Sequence, residues 1–270
     1  MSILRILHLS DLHFSGEVSP LSPDEAIELA CDALVRENDD LPNVMVISGD
    51  ITTSGTVSGY HDALASLRRT LLETIHFSKI LVCPGNHDIV DGDKSFSDFN
   101  QFSLDLTVDS NQIWNQSSPV VVSKWEDYEF FLVNSSYHGD YSYGKTPLDA
   151  LTRALERSTA PYKIAVIHHS PISSSYAGGG LSDAYDLLSL VSEHKVLALL
   201  HGHVHSDQSI TVGRDHTYVT GAGSLGFSPD GNMNNQFSQL TFTDGALTSS
   251  KLFKYHANTR MFTPQETKLP

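Results

Sequence analysis

Short, dense apolar runs alternate with longer amphipathic stretches along this chain, and polar residues cluster where the runs stop. Ile3, Leu4, Ile6, Leu7 and Leu9 form the first run, which ends at Ser10-Asp11. A run apolar on both faces predicts a strand covered on both sides. Val44 to Ile47 and Ile80 to Val82 read the same way and stop at Ser48-Gly49-Asp50 and Pro84-Gly85-Asn86. Ser22-Pro23-Asp24-Glu25 combines a cap, a proline at the first helical position and an acid three residues after the cap. It opens a predicted helix to about Arg36, with Ala26, Leu29, Ala30, Ala33 and Leu34 inward. After a polar loop from Thr52 to Ser58, Tyr60 to Ile75 predicts a second helix. Strand, helix, strand, helix, strand argues for parallel βαβ units.

Further along, Val120 to Val122 and Phe130 to Val133 predict neighbouring strands, and Thr146-Pro147-Leu148-Asp149 opens a helix to about Arg157. Ile164 to Ile167 and Val196 to Leu200 predict strands that deliver His168 and His201 to His205, with a helix from Ser182 to Glu193 between them. Ile210 to Val212, Tyr218 to Thr220, Phe237 to Thr243 and Leu247 to Tyr255 are short β-like runs, expected to close a second sheet as antiparallel strands. The segments Phe14 to Leu21, Asp91 to Asn111 and Tyr137 to Thr146 are read as loops that build a substrate pocket. No repeat or linker interrupts the composition, so residues 1–270 read as a single domain, with 251–270 a tail whose packing is left open.

Composition narrows the function classes. Hydrophobic residues make up 40%, enough for a sizeable core. The net charge of −15 disfavours a broad nucleic-acid footprint. Two scattered cysteines, Cys31 and Cys83, do not make a disulfide scaffold and are expected to be buried and reduced. The N-terminus lacks the features of a signal peptide and no run is long enough to span a bilayer, so a soluble cytoplasmic protein is expected.

Ten polar residues collect at the predicted strand ends: Asp11, His13, Asp50, Asn86, His87, Asp88, His168, His169, His203 and His205. Carboxylate, imidazole and amide oxygen together make a ligand set for divalent transition metals. The absence of thiolates argues against a structural zinc site, and the number of donors suits two ions better than one. Manganese, iron and zinc all suit such a set. His8 reads as a packed side chain, His201 as a neighbour of the cluster, and His138 as a residue that could line the substrate cleft.

The order of these blocks resembles the calcineurin-like metallophosphoesterases: Asp11-Leu12-His13, Gly49-Asp50, Gly85-Asn86-His87-Asp88, His168, and Gly202-His203-Val204-His205. The match runs from about residue 3 to about residue 226. The resemblance implies an α/β fold, a four-layer α/β/β/α sandwich with two mixed sheets and the metals at one edge. It implies a first ion on Asp11, His13, Asp50 and His205 and a second on Asp50, Asn86, His168 and His203, with Asp50 bridging. His169 is the other candidate in the His168-His169 pair. The implied chemistry is hydrolysis of a phosphoester by a metal-bridging hydroxide. His87 would protonate the leaving group or stabilise the transition state, and Asp88 would be the partner of His87. His138 and His169 are the candidate substrate contacts. Ser48 to Thr52, Ser54-Gly55-Thr56, Tyr60 and Asn134-Ser135-Ser136 look like the class III cyclic-nucleotide phosphodiesterase and glycerophosphodiesterase branch, although Asn134 stands where relatives often have Asp. The expected substrate is a small phosphodiester. A DNA nuclease, a phosphomonoesterase and a non-enzymatic scaffold are the alternatives.

Overall fold

Alternation along the strands assigns their side chains to layers. In the computed structural model, Tyr128, Phe130 and Leu132 face one apolar cluster while Phe131 and Val133 face another. Ile164 and Val166 divide from Ala165 and Ile167 in the same way, as do Ala198 and Leu200 from Leu199. A strand with two apolar faces needs cover on both. One face meets a second sheet; the other meets helices. The structure describes residues 2–16, 21–37, 41–90, 92–140, 142–172, 179–227, 234–267 and 269, with the backbone alone for 92–94.

The first half runs β1 (Ile3–Leu9), α1 (Pro23–Arg36), β2 (Val44–Ile47), α2 (Val57–Leu67), β3 (Lys79–Val82), α3 (Gly92–Thr107), β4 (Val120–Trp125) and β5 (Tyr128–Val133). There follow α4 (Leu148–Arg157), β6 (Tyr162–Ile167), α5 (Ala184–Glu193), β7 (Ala198–His201), β8 (Asp207–Val212), β9 (Thr217–Ala222), β10 (Gln236–Thr243), β11 (Ala246–His256) and β12 (Met261–Glu266). Two six-stranded sheets result, in the orders β12-β11-β10-β1-β2-β3 and β4-β5-β6-β7-β9-β8. Both are mixed: β1, β2 and β3 are parallel, as are β5, β6, β7 and β9, while the remaining pairs are antiparallel. This is the expected α/β sandwich of two mixed sheets.

Two expectations are corrected. The C-terminal strands do not build one antiparallel sheet. β8 and β9 extend the second sheet, with β9 parallel to β7, and β10 to β12 extend the first from the free edge of β1. Buried β1 must pair its backbone groups on both edges, and β10 supplies the second edge. The stretch 92–107 is a helix rather than a loop: Phe96, Phe99, Phe102 and Leu106 share its buried stripe. Within the tail, 261–266 forms β12, paired antiparallel to β11. Residues 17–20 and 141 of the remaining expected pocket loops lie outside the described residues.

Local signals behave as their chemistry dictates. Ser22 caps α1 by accepting from the Glu25 N–H at 3.2 Å, and Thr56 caps α2 by accepting from Gly59 at 3.3 Å. Cys31 and Cys83 are free and buried. Among the described residues, no helix is long and apolar enough to cross a membrane.

Candidate metal centre

The parallel ladder of β1 and β2 continues past the strands. The Asp11 N–H donates to the Gly49 carbonyl at 3.0 Å and the His13 N–H to the Asp50 carbonyl at 3.1 Å. The two loops are thus held in register, and Asp11, His13 and Asp50 emerge together at the carboxyl edge of the sheet. Asn86 follows β3 in the same sheet, and the second sheet delivers the remaining histidines: His168 follows β6, and residues 202–205 follow β7. Backbone strain gathers here. Asp11, His13, Asp50, His203 and His205 all take positive φ, between 51° and 73°. Non-glycine residues adopt that region at a cost, which persists only where the surroundings over-determine it. Gly49, at φ 101°, is required twice over, because a Cβ there would stand 2.6 Å from His168 Nδ1.

Two groups of donors form. In the first, Asp11 Oδ1 lies 3.1 Å from His205 Nε2 and 3.7 Å from His13 Nε2, and the two imidazole nitrogens are 3.3 Å apart. In the second, His168 Nε2 lies 3.2 Å from Asp50 Oδ2 and 3.0 Å from Asn86 Oδ1, and Asn86 Oδ1 lies 3.2 Å from His203 Nδ1. Asp50 Oδ2 is also 3.9 Å from His13 Nε2, so one carboxylate stands between both groups. Asp11, His13 and His205 offer ligand atoms within 4.8 Å of one another, and so do Asp50, His168 and His203. Asp11 Oδ1 has no aligned hydrogen-bond donor despite its imidazole neighbours. Imidazole nitrogens, an amide oxygen and carboxylate oxygens crowded this closely fit a shared cation in place of the protons between them.

Burial alone would push both aspartates up, but the His205 and His168 imidazoles beside them outweigh it and hold Asp11 and Asp50 below the usual carboxylate range. Burial works against a charge on His168, yet Asp50 and the Ser48 carbonyl raise it to about 9. His205 is likewise raised against its burial by Asp11. Without ions, protons on these imidazoles offset the buried carboxylates.

The calcineurin-like phosphoesterase family model matches residues 4–207. The chain belongs to the calcineurin-like phosphoesterase family. It is 28% identical over 243 residues to a probable cyclic nucleotide phosphodiesterase of Pseudoalteromonas sp. (strain SM9913), covering 83% of this chain and 80% of that one. A second protein so named, from Vesicomyosocius okutanii, is 28% identical over 60% of this chain and 62% of its own length. Among solved structures, the purple acid phosphatase PPD1 of yellow lupin superposes with a TM-score of 0.68 at 14% identity, over 97% of this chain and 53% of that one. A dimetal phosphatase of Danio rerio superposes with a TM-score of 0.62 at 15% identity, over 93% of this chain and 95% of that one. These two share the fold.

The other residues singled out in this calcineurin-like chain separate clearly. His87 Nδ1 donates to the Thr53 carbonyl at 2.7 Å, which leaves Nε2 as its free nitrogen, and the ring stands 5.2 Å from that of His13. Asp88 is not the partner of His87 in any described hydrogen bond. Its buried carboxylate instead accepts from the N–H groups of Ile51, Thr52 and Gly85. Burial and the nearby Asp50 push Asp88 up to about 7. The carboxylate is drawn to three buried N–H donors that would otherwise go unpaired. His168 turns Nε2 to the donors, with Nδ1 on the Ser48 carbonyl at 2.8 Å. His169 instead places Nδ1 2.7 Å from Ser135 Oγ and packs its ring 4.5 Å from His203. His138 stacks on Tyr143 at 4.7 Å and touches neither donor group in any described hydrogen bond. His8 is buried against Ser48 Oγ at 2.9 Å, and burial lowers it to about 3. His201 is buried too and lowered to about 4.

Thr53 and Phe227 were not legible as site residues, and Ser135 was marked only as part of the Asn134-Ser135-Ser136 block. Phe227 packs on both His13 and His205, at 5.2 and 5.5 Å. Its turn is pinned to the loop after β1 by the Gly226 N–H on the Asp11 carbonyl and the Leu225 N–H on the Ser10 carbonyl, long-range contacts with no local mark in the sequence.

Proposed function

We propose that this chain hydrolyses a small phosphodiester, a cyclic nucleotide being the favoured substrate, with two divalent ions at the carboxyl edge of the sheets. The observation that carries this reading is the shared carboxylate: Asp50 Oδ2 stands 3.2 Å from His168 and 3.9 Å from His13. Asp11, His13, Asp50 and His205 would hold one ion, and Asp50, Asn86, His168 and His203 the other; manganese, iron or zinc suits these donors. When bound, such a pair supplies an acidified water and neutralises charge on phosphate oxygens.

The chain's own residues do the remainder. The Ser48 carbonyl fixes the His168 tautomer, leaving Nε2 as the donor atom. The Thr53 carbonyl likewise holds the Nδ1–H of His87, so that the ring in its imidazolium form would give its Nε2 proton to the leaving oxygen and be left as the neutral Nδ1–H tautomer. Asp88 holds the loops after β2 and β3 together and works on substrate only through them. Preference for a diester is supported by the name shared by relatives at 28% identity. The −15 charge argues against long nucleic acid. Steady-state rates with Mn²⁺ on bis(p-nitrophenyl) phosphate and p-nitrophenyl phosphate test the reading, followed by 3′,5′-cyclic nucleotides. The diester is expected to react faster; a strong monoester preference would overturn it.

A further inference from the structure

The hydroxyl of Tyr60 lies outside both donor groups, yet it is tied to the loops that carry them. Tyr60 sits on α2 and is buried. Its hydroxyl lies 3.2 Å from Asp88 Oδ1 and 3.4 Å from the Asp88 carbonyl. The same carboxylate accepts from Ile51 at 3.1 Å, Thr52 at 3.3 Å and Gly85 at 2.9 Å. Ile51 and Thr52 follow Asp50 in the chain, and Gly85 precedes Asn86. Asp88 therefore staples the loop bearing one oxygen donor to the loop bearing the other. Among the described hydrogen bonds, Tyr60 is the only side chain that donates to this staple. Phe102, on α3, stacks on the phenol ring at 5.2 Å and 28°, and Phe99 packs on it edge-on at 6.1 Å, so the ring keeps a neighbour when Phe102 is trimmed.

We infer that Tyr60 is a positioning residue for the second ion: its hydroxyl fixes Asp88, and through Asp88 the spacing of Asp50 and Asn86. The inference rests on the two-metal reading above. A carboxylate that loses one of four donors can turn about its Cβ–Cγ bond, and each turn releases one loop from the other. Asn86 belongs to the second donor group alone, so the second ion should be weakened more than the first. Partners behind a ligand commonly shift metal affinity by about 10–100-fold.

The test compares Tyr60→Phe with Phe102→Leu in the full chain. Mn²⁺ binding is followed by titration calorimetry and by elemental analysis after dialysis, with melting temperature alongside. Tyr60→Phe keeps the ring and should bind one ion normally and the other about tenfold more weakly. Phe102→Leu loosens the packing but keeps the hydroxyl, so it should melt earlier with both affinities at the wild-type value. Wild-type affinities in Tyr60→Phe overturn this inference alone. So does a metal loss in both variants that scales with lost melting temperature. A wild-type chain that retains no ions overturns the two-metal reading and this inference with it.

Discussion

The two donor groups use the same chemistry but are held to different degrees. In the second, His168 is fully buried, its Nδ1 is fixed by the Ser48 carbonyl, and Asn86 lies beside a loop stapled by Asp88. In the first, the His205 side chain is 17% exposed, and among the described residues no hydrogen bond holds the Nδ1 of His13 or His205. Phe227 packs on those two rings from outside in place of a backbone partner. Preorganised imidazoles lose less freedom on taking a metal, and their partners raise their basicity. The second group should therefore hold its ion more tightly, and the first should exchange more readily.

The severest way to break this contrast is to remove the residue common to both. Asp50→Asn should lose affinity for both ions and cut kcat/KM by about 10²–10³-fold or more. Elemental analysis and steady-state rates check it, and loss of a single ion would refute a shared carboxylate. Next come the matched variants His168→Ala and His205→Ala. Each should surrender an ion, but His168→Ala should also destabilise the fold more, because it leaves the Ser48 carbonyl buried and unpaired. Metal content and thermal melts separate them. His87→Ala should keep both ions and lose about 10²-fold in kcat with an alkoxide leaving group, and much less with p-nitrophenolate, which needs no proton.

The smallest effect concerns pH. In chelated protein His168 is raised to about 9 against an ordinary value near 6.5. Its protonated form stabilises the chelated fold below about pH 6.5, and this contribution fades as pH rises through about 9. Metal must displace that proton, so second-ion affinity should rise by up to about tenfold per pH unit between 7 and 9. Calorimetry in buffers of different ionisation enthalpy would count the protons released; none released would contradict it.

Much of the site was readable because parallel strands end abruptly. Leu9, Ile47, Val82, Ile167 and Leu200 each close an apolar run just ahead of a polar block, and those blocks meet in the folded chain. Partner choice was not readable. Nothing local in Phe237 to Thr243 says that it pairs with β1 rather than β9, since that follows from the unfilled edge of a distant strand. The helix at 92–107 did show Phe96, Phe99, Phe102 and Leu106 at helical spacing, but polar residues between them masked it. Asp88 misled for a related reason: adjacency to His87 in sequence says nothing about backbone donors brought in from residues 51 and 52.

The left-handed backbone at Asp11, His13, Asp50, His203 and His205 also bears on how such a centre could change over generations. Asparagine tolerates that conformation nearly as well as aspartate, whereas β-branched side chains do not. An Asp→Asn exchange at residue 11 or 50 would thus remove a donor's charge and weaken its hold on a cation while sparing the contour of its loop. Chemistry and shape are separable at these positions, and a descendant could abandon hydrolysis yet keep the same outline for some other use.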